Sequence, residues 1–226
     1  IKNMPQSPIV LLSGPSGSGK TTTSMKIAEA LEKKGVGTHY VSMDDYFKTV
    51  DPNTSPRTPD GALDLESPLC LDMELLNKHF TMLSKGEKIF VPKYEFSRQM
   101  RVTEPSKSIR LKKDEIVVFE GIHALNDMIT DVHPEAFKLY ISARSNVEFN
   151  DTVVFKSTWF RLVRRMVRDY NFRGADPKYT MSMWANVRRG EKANISPFKH
   201  KANYQFDSSF PYELAGKAEK LWVFTT

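Results

Sequence analysis

The chain has 226 residues, of which 40% are hydrophobic and 27% charged, the balance of one globular domain with a full core. No apolar run approaches the roughly 18 residues that span a bilayer, and residues 1–8 carry no apolar signal-peptide core, so no membrane partner is expected. A single cysteine, Cys70, excludes an internal disulfide, fits a reducing, cytoplasmic setting and reads as a buried small apolar residue, while the net charge of +6 suits an anionic partner.

Ile9 to Ser13 is a short apolar run closed by a turn signal and is the first predicted strand. Thr21 to Lys34 follows as a helix with Met25, Ile27, Ala28 and Leu31 on its apolar side, ended by Gly35 and Gly37. Thr38 to Ser42 is a second strand. Residues 48–62, with Pro52, Pro56, Pro59 and Gly61, form a loop. Leu71 to Leu83 is a helix, Ile89 to Val91 a short strand, and Ser97 to Lys113 a polar, irregular stretch. Glu115 to Phe119 and Phe137 to Ser142 are buried strands, and Thr158 to Tyr170 is an arginine-rich helix. From Asn171 onward no pattern stands out, and Lys217 to Thr226 aligns with nothing recognisable. Alternating strands and helices predict an α/β fold with a mostly parallel sheet, whose ligands bind at the carboxyl ends of the strands.

GPSGSGKT, Gly14 to Thr21, fulfils G-x-x-x-x-G-K-[ST] between a strand and a helix. Glycines let successive backbone N–H groups turn inward onto phosphate oxygens, and the helix N-terminus adds positive potential. Gly14, Pro15, Ser16, Gly17, Ser18, Gly19, Lys20, Thr21 and Thr22 are therefore the candidate nucleotide contacts. Lys20 suits the β- and γ-phosphates, and the Thr21 hydroxyl suits Mg²⁺.

Asp44 and Asp45 follow the second strand, where a carboxylate can orient a hydroxyl and accept its proton. The plainer reading of the pair is a solvated loop or a helix cap. Glu120 comes abruptly after four apolar residues, at a buried strand end where an acid suits a metal site. His123, three residues on, is either structural or a substrate contact. Arg161, Arg164, Arg165 and Arg168 recur at i, i+3, i+4 and i+7 along one helix face, with Arg173 beyond. Leu162, Val163, Met166, Val167 and Tyr170 are left to pack on the core. Acidic partners are few nearby, so the stripe is expected to clamp a triphosphate.

Taken together, these motifs resemble the uridine kinase (uridine–cytidine kinase) family of P-loop nucleoside kinases, from about Ile9 to about Tyr212. Phosphoribulokinase and pantothenate kinase are more distant relatives of that architecture. The resemblance implies a parallel sheet of about five strands flanked by helices, with a lid over the phosphates. MDDYF places Asp44 at the catalytic base for a ribose 5′-hydroxyl, and the family's tyrosine falls on Phe47, with Tyr46 no evident substitute. LDLESP places Asp64 at the aspartate of a D-H-P-like motif that holds the ribose diol, with an insertion before Pro68. PKYEF places Tyr94 against the base. Gln99 stands where the family has a base-contacting histidine, and Arg101 follows. F-E-G-I is intact at Phe119 to Ile122 and supports Glu120 at the metal. Arg165 and Arg168 match arginines that contact substrate and phosphates. Arg173 matches a lid arginine, whereas the next one falls on Ala175.

The expected activity is ATP-dependent phosphorylation of a nucleoside, uridine or cytidine, at its 5′-hydroxyl, with Mg²⁺, GTP being the alternative donor. Two alternatives stay open: a P-loop kinase for another small alcohol, and a nucleotide-dependent RNA-binding module, for which the arginine helix lacks interleaved stacking aromatics. Residues 1–226 are expected to form one kinase domain, and self-assembly is left open. The chain also resembles the kinase portion of longer bacterial proteins that join it to a module related to threonyl-tRNA synthetase.

Overall fold

A computed structural model describes residues 1–210, 212 and 213. The expectation made for Lys217 to Thr226 lies outside the described residues. In chain order the elements begin with β1 (Ile9–Ser13), α1 (Lys20–Glu32), β2 (Gly37–Ser42), α2 (Met73–Ser84), β3 (Ile89–Glu95), β4 (Met100–Ile109) and β5 (Glu115–Glu120). They continue with α3 (Asp127–Thr130), β6 (Phe137–Ser142), β7 (Val147–Phe149), β8 (Thr152–Phe155), α4 (Ser157–Arg173), α5 (Pro177–Asn194) and β9 (Tyr204–Asp207). Short 3₁₀ turns cover Met43–Tyr46, Pro68–Cys70 and Ser196–Lys201.

The main sheet has five strands in the order β2-β5-β1-β6-β9, all parallel, as expected. Its central strands are buried on both faces, which is why IVLLS and EIVVFE read as continuous apolar runs rather than alternating ones. One core cluster gathers Leu11, Val117 and Phe119 under α2, with Phe80 packed edge-on to Phe119 at 4.4 Å between centroids. The other gathers Leu12, Ile116, Val118, Leu139 and Ile141 under Ile27 and Leu31 of α1. Parallel register carries the ends of β1, β2 and β5 to one edge: Leu12 lies opposite Glu120, and Ser42 lies opposite Glu120 on the other side. Ser13, Glu120 and the residues after Ser42 therefore share that edge, and every catalytic candidate sits there or leans over it.

Two stretches depart from the sequence expectation. Ser97 to Lys113 is not irregular: it contains β4, paired antiparallel with β3 in a hairpin outside the main sheet. Its residues from Glu104 to Ser108 are exposed, so pairing to β3 rather than an apolar face makes it a strand. The second departure is the region after Asn171, which holds the 18-residue helix α5 and the edge strand β9. Asp176 caps α5 by accepting from the Lys178 N–H, with Pro177 in the first turn. That Asp-Pro pair was the available signal.

Candidate functional site

The phosphate cradle is built from backbone. Gly17 and Gly19 adopt φ of +74° and +86°, which side-chain-bearing residues rarely tolerate. A Cβ on Gly14 would lie 2.0 Å from the Ile141 carbonyl oxygen, and one on Gly17 would lie 2.4 Å from that of Arg161. At Gly14 and Gly17 the loop is thus wedged against β6 and α4 with no room for a side chain. Lys20 Nζ donates to the Gly14 and Pro15 carbonyls at 2.9 and 3.4 Å, across the loop's mouth. Burial lowers the Lys20 pKa, and the charges of Glu120 and Asp44 oppose that shift. The ammonium thus stays charged within the influence of both carboxylates. Ser18 is buried with its hydroxyl unpaired, and Thr22 is exposed on α1.

Glu120 is 7% exposed at the end of β5. Its Oε1 accepts from the Thr21 hydroxyl at 3.0 Å and from the Tyr40 hydroxyl at 2.6 Å. Burial first, then the Glu120 charge, raises the Tyr40 pKa, so the phenol stays a donor. With both donors on Oε1, the second carboxylate oxygen is left to serve another partner. Sequence reasoning did not single out Tyr40.

Along the α4 arginine stripe, Arg161 is buried and Arg164, Arg165 and Arg168 are half-buried, while Met166 is buried as expected. Arg161 is 1% exposed, whereas Tyr170, expected to pack on the core, is 51% exposed. Acid partners are not few: Asp169 on the same helix meets Arg165, Arg168 and Arg173, and two more come from far along the chain. Glu191 of α5 takes both Arg161 terminal nitrogens at 2.8 and 2.5 Å, and Glu213 pairs with Arg164. Burial pushes the Glu191 carboxyl up, but hydrogen bonds and charge from Arg161 and Arg188 leave it below the ordinary carboxylate range. Arg161 Nε also donates to the Ser16 carbonyl at 3.2 Å, and Arg164 to that of Gly17 at 3.3 Å. These two arginines brace the loop from behind. Arg165 donates to the Ser16 hydroxyl at 2.9 Å and reaches Asp169 at 3.2 Å and Glu66 at 3.9 Å. Arg168 pairs with Asp169 at 2.6 Å and is a third exposed, and its charge acts on Lys20.

On the opposite side, Asp44 opens the turn after β2, its N–H donating to the Ser42 hydroxyl at 3.3 Å. Arg173, the last residue of α4 before Gly174 (φ +63°), brings its guanidinium within 3.7 Å of Asp44 Oδ2. The same guanidinium lies 4.4 Å from the ring centroid of Phe96. Phe96 belongs to an aromatic group with Tyr94 and Phe47, centroids 5.2 to 6.3 Å apart. Phe47 thus replaces a hydroxyl with ring contact, while Tyr46 turns inward, fully buried, and bonds His79 Nδ1 at 2.8 Å. Gln99 is exposed at the hairpin tip with φ +51°, its carbonyl accepting from the Val50 N–H. Arg101 is committed elsewhere, to Asp72 at 2.9 Å and the Tyr46 carbonyl at 2.8 Å. The structure therefore groups Tyr94 with Asp44 and Arg173, and turns the Arg101 guanidinium onto Asp72.

Asp64 Oδ1 pairs with Arg189 of α5 at 3.3 Å and accepts from the Glu66 N–H at 3.3 Å. Glu66, not selected from the sequence, is the acid of this loop that feels Asp44, Lys20 and Arg165; burial raises its pKa, and the Arg165 charge opposes this. Glu66-Ser67-Pro68 keeps the acid-x-proline spacing without any insertion, which was the signal for it. His123 is 1% exposed, and neither ring nitrogen has a partner of good geometry. Its pKa falls to about 4 through burial, opposed by the nearby backbone carbonyls of Asn194 and Glu66. Cys70 is half-buried rather than buried, with Sγ 3.3 Å from the Asp64 carbonyl and a thiol pKa raised to about 11 by burial.

No helix of the described residues is long and apolar enough to cross a membrane, and no group of three or more His, Cys, Asp or Glu forms a metal cage among them. A hydroxyl and one carboxylate, Thr21 and Glu120, fit a hard cation that takes its remaining oxygens from phosphates and water.

Residues 9–212 match the model of the phosphoribulokinase/uridine kinase family. The uridine kinase of Schizosaccharomyces pombe is 30% identical over 165 residues, 73% of this chain and 32% of that protein. The uridine kinase of Macrococcus caseolyticus is 28% identical over 187 residues, 82% of this chain and 80% of that protein. The chain thus spans about a third of the length of its yeast relatives and most of the length of bacterial ones. D-glycerate 3-kinase from Cryptococcus neoformans shares the fold with a TM-score of 0.52, at 15% identity over 84% of this chain and 80% of that one. The chain belongs to the phosphoribulokinase/uridine kinase family.

Proposed function

We propose that this chain transfers the γ-phosphoryl group of ATP to the 5′-hydroxyl of a nucleoside, uridine or cytidine. One observation carries the reading. Arg173 joins Asp44 to the aromatic group of Phe47, Tyr94 and Phe96, while Asp44 and Lys20 act on one another electrostatically. An acid suited to take a hydroxyl proton thus stands between a phosphate cradle and a surface suited to a flat base.

The loop amides and Lys20 hold the β- and γ-phosphates, and Arg165 and Arg168 approach them from α4. Thr21 and Glu120 would hold Mg²⁺, which when bound supplies neutralising charge between the phosphates. Asp44 orients the acceptor hydroxyl and accepts its proton as the oxygen bonds phosphorus and ADP leaves. Glu66, rather than Asp64, grips the ribose diol, because Asp64 is already engaged by Arg189. Tyr94 and Phe47 wall the base. Arg173 closes over the acceptor side and excludes water, which competes for the same phosphoryl group.

The test is a panel of nucleosides, ribulose 5-phosphate, pantothenate and glycerate with labelled ATP and Mg²⁺. Label is expected on pyrimidine nucleosides. Label on a non-nucleoside alcohol alone would overturn the reading.

A further inference from the structure

The last two turns of α5 carry residues with no role in the chemistry above, yet they touch both halves of the site. Arg189 donates to Asp64 Oδ1 at 3.3 Å. The α5 backbone at Gly190 lies against the acceptor loop so closely that a Cβ there would come within 2.5 Å of Glu66 Cβ. Asn194 Nδ2 donates to the Glu66 carbonyl at 3.2 Å. Between them, Glu191 faces the other way and holds Arg161, whose Nε reaches the Ser16 carbonyl of the phosphate loop.

Four contacts from one short helical segment thus divide by address. Arg189, Gly190 and Asn194 fix the loop of residues 64–66, and Glu191 fixes the phosphate loop through Arg161. Local bonds hold the Asp64 end of this loop, its N–H donating to the Pro56 carbonyl at 2.7 Å and its carbonyl accepting from the Ser67 N–H at 3.1 Å, whereas the Glu66 carbonyl and Cβ lie against α5. Leu65 is exposed between its two acids, and the Glu66 carboxylate is reached by Arg165 only at 3.9 Å. A carboxylate that must accept two vicinal hydroxyls needs its backbone fixed to about half an ångström.

We propose that Arg189 and Gly190 are positioning residues for the acceptor. Arg189 neutralises Asp64 and turns it away from the substrate, so that one carboxylate, Glu66, faces the sugar instead of two repelling ones. Gly190 permits the close approach that sets Glu66 against α5. This rests on the nucleoside kinase reading and deepens it: the sugar diol is selected by a loop clamped from α5, independently of the phosphate grip on the same helix.

The experiment measures steady-state rates with nucleoside and ATP varied separately, and binding of a fluorescent ATP analogue, for wild type, Arg189→Ala, Arg189→Lys, Gly190→Ala and Glu66→Gln. Arg189→Ala is expected to raise the nucleoside KM roughly three- to tenfold, the net share of one hydrogen bond at a partly exposed pair. The ATP KM, analogue affinity and kcat should stay within about twofold, inside the context scatter of a single contact. Arg189→Lys should restore much of the loss, and Gly190→Ala should raise the nucleoside KM without touching ATP. If Glu66→Gln raises the nucleoside KM while the Arg189 and Gly190 variants leave it unchanged, or if those variants shift the ATP KM equally, this inference fails alone. A wild-type chain that phosphorylates no nucleoside overturns the functional reading and this inference with it.

Discussion

The two halves of the site are built from different materials. The donor half is backbone: Gly17 and Gly19 at positive φ, Gly14 and Gly17 wedged against β6 and α4, and the loop braced by the buried Arg161–Glu191 pair. The acceptor half is side chain: an aspartate on a 3₁₀ turn, a half-exposed aromatic group on a hairpin outside the sheet, and a loop clamped from α5. On the proposed reading the donor half takes one constant ligand, a triphosphate, which a rigid cradle serves. Acceptors differ, and side chains on loops can change without disturbing the core.

Substitutions can break this contrast. The largest expected effect is at the point where the halves meet: Asp44→Asn should cut kcat by roughly 10²–10⁴-fold, the share of general base catalysis, while ATP binding is retained in an equilibrium titration. Near-normal turnover would remove Asp44 as the base. Next, Glu191→Ala strands the buried Arg161 charge, which costs about 3–5 kcal/mol in comparable pairs, and should show as a lower midpoint in urea unfolding together with a weaker ATP affinity. A loss confined to the acceptor KM would dissolve the distinction drawn between the halves.

His123 offers a pH test. Its folded pKa of about 4 lies below the ordinary value of 6.5, so the unfolded chain binds the proton first as pH falls. Stability from this residue is present above pH 6.5 and is lost between 6.5 and 4, by roughly 3 kcal/mol at about 1.4 kcal/mol per pH unit. His123→Gln should flatten that part of the stability curve measured by denaturant unfolding at each pH. The smallest contrast lies within the acceptor loop. Glu66→Gln should raise the nucleoside KM roughly ten- to a hundredfold, as for a hydrogen bond to a charged group, and Asp64→Ala by less. The reverse order would return the diol to Asp64.

Much of the fold was legible because buried parallel strands announce themselves as apolar runs, and β1 and β6 fall at their expected bounds. The hairpin strand β4 was not, because exposed polar residues carry no period and only pairing with β3 orders them. Helix α5 was missed despite its Asp176–Pro177 start, since its glycine and its charges serve contacts rather than an apolar stripe. In the site, the arginine spacing was visible, but not which carboxylates two of the arginines meet: Arg161 pairs with Glu191 and Arg164 with Glu213, both far along the chain.

The sequence by itself determined the phosphate cradle, its strand, and the acids at the strand ends. Those depend on backbone geometry within a few residues and on a sheet whose register places strand ends together. Only the tertiary structure decided which arginines brace the loop from behind, and which of Asp64 and Glu66 meets Arg189 and which meets Arg165. Those choices are made by partners 30, 125 and 149 residues apart, Arg161 with Glu191, Arg189 with Asp64 and Arg165 with Ser16. A buried charge takes whichever partner packing brings within reach.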